Sequence, residues 1–254
     1  MTGFGYNING FGVSGGGGTA TLVTQALINS QENYNYVLAS NFVGSGGTII
    51  IPANFWVFST STALTVDVDD VTIENYGKIV GRARGISIGA SGATINNYSG
   101  AFIAGGGGNG SQGRNGAVGQ GAGSSDPNTY LNQTGPNGNS GYGGGAGGGA
   151  AAVSFAGGLT AGQGGWILPG TGGAAGNSFS GAGGSAGNTG GNGTHYGNDG
   201  GGPLNGGGGG GGWGARGGNA GLGGTGSAAG PAISPSSGDA YTLSNSGTIY
   251  GSTT

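Results

Sequence analysis

The chain of 254 residues has no cysteine, one histidine and one methionine, and charged residues make up only 5% of it. Without cysteine, no disulfide framework and no thiolate metal site can staple the fold. Five Lys plus Arg against eight Asp plus Glu give a net charge of −3, too few cations for the electrostatic footprint of a nucleic-acid binder. Seven prolines are too few for collagen, which also needs glycine at every third position throughout. Disorder of the usual kind needs high net charge and low hydrophobicity, whereas 33% of this chain is hydrophobic. The longest strongly apolar run, Ile49-Ile50-Ile51, is far short of a membrane span. Met1 is followed by TGFGYNINGFG, which has neither a basic n-region nor an apolar h-region, so no secretory signal is read.

What the chain has in excess is glycine, 74 of 254 residues. With so little charge, that excludes the composition of an ordinary globular enzyme. The glycines are clustered: residues 104–230 hold 54 of the 74. Four segments follow from this shift, namely 1–47 as an N-terminal leader or attachment segment, 48–104, 105–231 and 232–254. In the first, residues 19–44 carry a loose helical spacing at Leu22, Ala26, Leu27 and Ser30 and again at Tyr34, Val37, Leu38 and Phe42, which predicts one or two short helices. TIIIPANFWVF (48–58) reads as a strand, a proline bend and a second strand. LTVDVDDVTI alternates with period two, as a half-buried strand does.

A short repeat runs through the flanks. Residues 71–81 read VTIENYGKIVG, residues 93–105 read ATINNYSGAFIAG, and residues 241–251 read YTLSNSGTIYG. Each copy is a strand, an Asn, a Gly-containing turn and an Ile-centred strand ending in Gly. The first two copies start 22 residues apart, a usual rung length for a β-solenoid whose repeats bury their apolar faces by stacking. Asn at a repeated turn position can then form a ladder. Three independent hairpins with similar turns are the simpler alternative. On the stacked reading, the glycine-rich block leaves the stack at Ala104 and returns near Ala232.

Inside the block, Gly107, Gly110, Gly113, Gly116 and Gly119 are spaced by three, as are Gly138 to Gly147, Gly181 to Gly193, Gly208 to Gly217 and Gly218 to Gly224. Period three is that of the polyproline-II helix, which has no internal hydrogen bonds. Such helices packed side by side can bond to one another if their backbones approach closely, and glycine allows this. One glycine row suits the edge of the bundle, two or three its centre. A freely disordered linker is the alternative. The aromatic and aliphatic residues that punctuate the block, among them Phe155, Trp166, Phe179, Trp213 and Leu222, favour packing, since a linker has no use for them. The predicted fold is all-β and irregular: a short β-solenoid-like stack carrying a bundle of glycine-rich polyproline-II-type helices about 9 to 15 residues long, or about 30 to 45 Å.

IPANFWVFSTSTALTVDVDDVTIENYGKIVG followed by NNYSGAFIAGGGGNGSQG resembles the distal domains of bacteriophage tail-fibre adhesins, and residues 105–230 look like the polyglycine-II sandwich of fibre-tip adhesins. The resemblance covers about 48–251. It implies a receptor-binding protein at the tip of a virion tail fibre, joined to other fibre proteins and assembled as a homotrimer. Its partner would be a bacterial outer-membrane protein or surface glycan, reached through variable loops between glycine helices. No catalysis, cofactor or bound metal is implied.

The residues are consistent with that. His195, with Asp199 four residues on, is a poor basis for catalysis or metal binding in a loop. Asp67, Asp69, Asp70 and Glu74 suggest calcium, but Asp67 and Asp69 share one strand face, as solvated residues do. Matches to GxGxxG carry no information in so glycine-rich a chain, and the acceptor patterns at Asn132 and Asn192 are loop composition. Tyr130, Trp166, His195, Tyr196 and Trp213, with Phe155 and Phe179, are the candidate receptor contacts, because rigid aromatics among Ser, Gly and Asn suit a binding loop. Each aromatic has an equal alternative, which is to cap the bundle or pack it against the stack. An ice-binding or purely structural glycine-helix bundle is the second function class; the disulfides that small proteins of that kind rely on have no counterpart here.

Overall fold

The computed structural model describes residues 20–22, 36–37, 44–53, 56–59, 61–111, 152–154, 160–162, 181–193, 195–198 and 203–254. They form no α-helix. Seventeen strands are present: β1 (Ala20–Leu22), β2 (Tyr36–Val37), β3 (Thr48–Ile51), β4 (Trp56–Ser59), β5 (Thr62–Val66), β6 (Thr72–Asn75), β7 (Lys78–Gly81), β8 (Arg84–Ile88), β9 (Ala93–Asn97), β10 (Phe102–Gly105), β11 (Ala152–Ser154), β12 (Thr160–Gly162), β13 (His195–Asn198), β14 (Pro203–Asn205), β15 (Ile233–Pro235), β16 (Tyr241–Asn245) and β17 (Thr248–Tyr250).

Thirteen of these lie in three parallel sheets, ordered β1-β3-β6-β9-β16, β17-β10-β7-β4 and β15-β8-β5-β2. The chain visits them in turn: β3, β4 and β5 enter the first, second and third sheet, and β6, β7 and β8 repeat the circuit one strand further along. The three repeat copies therefore pair in parallel. Thr72, Thr94 and Thr242 are register partners in the first sheet, and Lys78, Phe102 and Thr248 in the second. This excludes three independent hairpins. The expected helices of residues 19–44 give way to strands at both described sites, since Ala20–Leu22 pairs with Thr48–Ile50 and Tyr36–Val37 with Leu64–Thr65. Open edges of existing sheets supply backbone partners that outweigh weak helical spacing.

Period-two burial explains the packing. In β9 the pattern runs buried, intermediate, buried, intermediate, buried. The inward residues Ile49, Ile73 and Ile95 of the first sheet, Val57, Ile79 and Ile103 of the second, and Leu64, Ile86 and Ile233 of the third form one fully buried core. Each such side chain contributes about 1.5–3 kcal/mol by leaving water. No single circuit could enclose this core; stacking does. At the strand end, where Ile51 stands in β3, Asn75 and Asn97 are buried and form the expected ladder. Asn75 Nδ2 donates to Asn97 Oδ1 at 2.8 Å, and Asn97 Nδ2 donates to Asn245 Oδ1 at 2.7 Å. Asn75 Oδ1 also accepts from the Gly77 N–H at 3.1 Å, so each amide ties one turn to the next.

The corner before the first sheet needs left-handed backbone at equivalent positions. Gly46 and Gly92 supply it with φ of 72° and 76°, and Asp70 between them adopts φ 57°, the one non-glycine in that region among the described residues. The corner between the second and third sheets is different. Between β7 and β8 it consists of Arg82 and Ala83 alone. Between β10 and β15, one strand further along, the chain runs from Gly106 to Gly230. Both ends of this excursion sit on the short corner: Gly106 N–H donates to Arg82 O at 3.1 Å, and Gly85 N–H to Pro231 O at 3.1 Å. A single circuit is opened at one corner, and the glycine-rich block is inserted there.

Candidate functional site

Glycine segments leave and return to that corner side by side. Residues 106–111 run away from the sheets, as do 188–193 and 215–221, while 181–187, 206–213 and 224–230 run back. None is a helix or strand by hydrogen bonding, yet their bonds are regular. Gly208, Gly211 and Gly214 donate to Ser111, Gly108 and Gly105 at 2.8–2.9 Å. Gly181, Gly184 and Gly187 donate to Gly207, Gly210 and Trp213 at 2.8–2.9 Å. Gly209 and Gly212 turn the other way, to Gly191 and Asn188 at 2.9 and 3.1 Å. A given neighbour is thus met at every third residue, and successive residues serve different neighbours.

Gly206–Gly212 is glycine throughout and buried throughout. It is bonded to four other segments. A Cβ on Gly208 would lie 2.0 Å from Gly218 O, on Gly209 1.9 Å from Ala182 O, and on Gly212 2.0 Å from Ser185 O. Only hydrogen fits at those sites. Side chains are admitted where a segment faces water, as at Thr189, Asn192 and Thr225, all exposed.

The array has two ends. The near end abuts the sheets: Gly187 lies against the Tyr250 ring, and Gly214 packs on the backbone of Tyr250 and Gly251. The turns at 187–188 and 213–215 are here. The far end carries Ser111, the hairpin of β13 and β14 between Gly193 and Gly206, and the turn 221–223. Amides hold its segments together, Asn192 Oδ1 accepting from Asn219 N–H at 2.8 Å and Asn219 Oδ1 from Gly226 N–H at 3.1 Å.

The candidate contacts divide accordingly. Trp213 is corrected from contact to packing: it is fully buried, at the near-end turn where Ala215 N–H donates back to Gly212 O at 3.1 Å. Its indole Nε1 has no hydrogen-bond partner. His195 and Tyr196 lie in β13, whose pairing with β14 shifts register between Tyr196 and Asn198. Their backbone is therefore at the far end. Tyr130, Phe155, Trp166 and Phe179 lie outside the described residues. Leu222, not among the sequence-derived contacts, is 50% exposed in the far-end turn. Its signal in the sequence is a large apolar residue flanked by glycines at a break in the spacing.

No group of three or more His, Cys, Asp or Glu converges among the described residues. The acidic candidates have local uses: Asp69 Oδ1 accepts from Ser91 N–H at 2.9 Å, and Glu74 accepts from Asn96 and Tyr98. A cavity of about 550 Å³ between the array and residue 252 is lined almost wholly by glycine and alanine, with Arg216 at its side. No family model, curated protein or solved structure matches the chain.

Proposed function

We propose that this chain is the distal adhesin of a bacteriophage tail fibre. In this reading the three parallel sheets wind as a β-solenoid, the glycine segments are polyglycine-II helices, and the loops at the end away from the sheets contact a bacterial surface receptor. One observation carries the reading: the inserted segments bond to each neighbour at every third residue. Period three belongs to the polyproline-II helix; an α-helix would give 3.6 and a strand two. The all-glycine segment 206–212 at the centre of the bonding supports it further, because a helix with neighbours on all sides has no room for Cβ.

A bundle of this kind suits adhesion. Its loops are held at both ends by helices bonded on several sides, so little conformational entropy is lost when they bind. Sequence can vary in the loops without disturbing the glycine rows. The receptor is an outer-membrane protein or a surface glycan. Attachment to other fibre proteins falls to residues 1–47, and the homotrimer is checked by analytical ultracentrifugation. The adhesion itself is tested with labelled protein on bacterial strains that each lack one surface receptor. Binding lost on one strain and kept on the others supports the proposal. Failure to bind any strain, or binding indifferent to every deletion, opposes it.

A further inference from the structure

Outside the glycine array, the outer face of the first sheet carries a second set of side chains with no role in the core. Glu74, Asn96 and Ser244 are register partners across β6, β9 and β16. Tyr76, Tyr98 and Ser246 follow two residues later, aligned by the bonds from Tyr98 N–H to Asn75 O at 3.0 Å and from Ser246 N–H to Asn97 O at 2.8 Å. The two tyrosine rings stack 4.2 Å apart and only 2° from parallel. Glu74 Oε1 accepts from Asn96 Nδ2 at 2.9 Å, while Oε2 accepts from the Tyr98 hydroxyl.

This arrangement is more than a rung-to-rung ladder of the Asn75 kind, because it is turned outward. Tyr76 is 42% exposed and, with Leu222, is one of two exposed large hydrophobic residues among those described. The aromatic row then stops: the equivalent position on β16's side is Ser246, small and exposed. Rigid sheets fix the rings, and the carboxylate fixes the second hydroxyl. We propose that the Tyr76–Tyr98 stack is a saccharide-binding platform, on which a neutral sugar ring lies against the face of Tyr76 that Tyr98 does not cover, with its hydroxyls on Glu74.

The chemistry matches on each side. The C–H face of a sugar ring is weakly positive and packs on the negative face of an aromatic ring. A carboxylate has about four lone-pair sites, two of which are taken here, so Glu74 can still accept from sugar hydroxyls. The hydrogen bond to Glu74, and then that with Tyr76, raise the Tyr98 pKa well above the ordinary phenol range, so its hydroxyl keeps its proton and its bond to Glu74. The carboxylate repels acidic ligands. A preformed aromatic surface costs little ordering on binding. This platform is apart from the far-end loops and does not depend on the adhesion reading.

Titration calorimetry of the full chain with chitohexaose, maltohexaose and cellohexaose tests it, with tetramethylammonium chloride as a cationic competitor. At least one hexasaccharide should bind. Y76A should weaken that binding by about tenfold, while Y76F stays within about threefold. E74Q should weaken it less than Y76A. The melting temperature of Y76A should fall by no more than about 6 °C, the loss of one partly exposed aromatic pair, so the variant stays folded at the temperature of the titration. Binding of none of the three sugars, or unchanged binding by Y76A, overturns the inference. So does displacement by tetramethylammonium, which would make the site a cation site.

Discussion

Replacing Gly209 by Ala places one methyl group where the array is tightest. Its Cβ would stand 1.9 Å from Ala182 O, against 3.4 Å for ordinary contact, so two segments must part by about 1.5 Å. That displacement disturbs the bonds from Gly209 N–H to Gly191 O at 2.9 Å and from Gly218 N–H to Gly209 O at 2.8 Å. Each buried backbone group left without its partner costs about 1–3 kcal/mol, so the loss is about 2–5 kcal/mol. For a domain of this size, that lowers the melting temperature by about 5–15 °C. The control is Gly44→Ala, where no atom lies within 4 Å and the change should stay within about 0.5 kcal/mol. Thermal melts followed by far-ultraviolet circular dichroism compare the two. Equal melting temperatures for G209A and G44A would refute close packing of the glycine backbones.

Three further outcomes follow from the sheets and the array. Asn97→Ala should cost about 2–4 kcal/mol by urea unfolding, because the amides of Asn75 and Asn245 both lose their partner. Asp70→Gly should instead stabilise by about 1 kcal/mol, since the left-handed φ of 57° is strained for any residue with a Cβ; a destabilised variant would show that the carboxylate contributes more than the strain costs. In an alkaline absorbance titration, Tyr98 should ionise above the ordinary phenol range, and this late step should vanish in Y98F. Its folded pKa is raised, so its stabilisation is complete below the unfolded tyrosine pKa and is lost as pH rises through the folded value.

The repeat and the glycine rows were legible because each rests on a strict spacing. VTIEN, ATINN and YTLSN carry alternation and a common Asn, which is enough to place Asn75, Asn97 and Asn245 in line. The strands at 20–22 and 36–37 were not legible. Their residues have no strong alternation of their own, and sheet edges supplied by residues much later in the chain decide their conformation. Trp213 and Leu222 show the limit for the site. Both are large apolar residues beside glycines at breaks in the period, and one is fully buried while the other is half exposed. The difference is which end of the array each turn occupies. That depends on how many segments separate it from the point of insertion, and spacing within a segment holds no record of it.

Photo-crosslinking on host cells tests adhesion through the far end most directly. Benzoylphenylalanine is placed at Tyr196 and Leu222 of the far end and, for comparison, at the exposed Asn188 of the near end, each in the full chain. The account predicts an adduct with a cell-surface receptor from position 196 or 222 and none from 188. An adduct from 188 alone, or none from any position on cells that bind the protein, would contradict it.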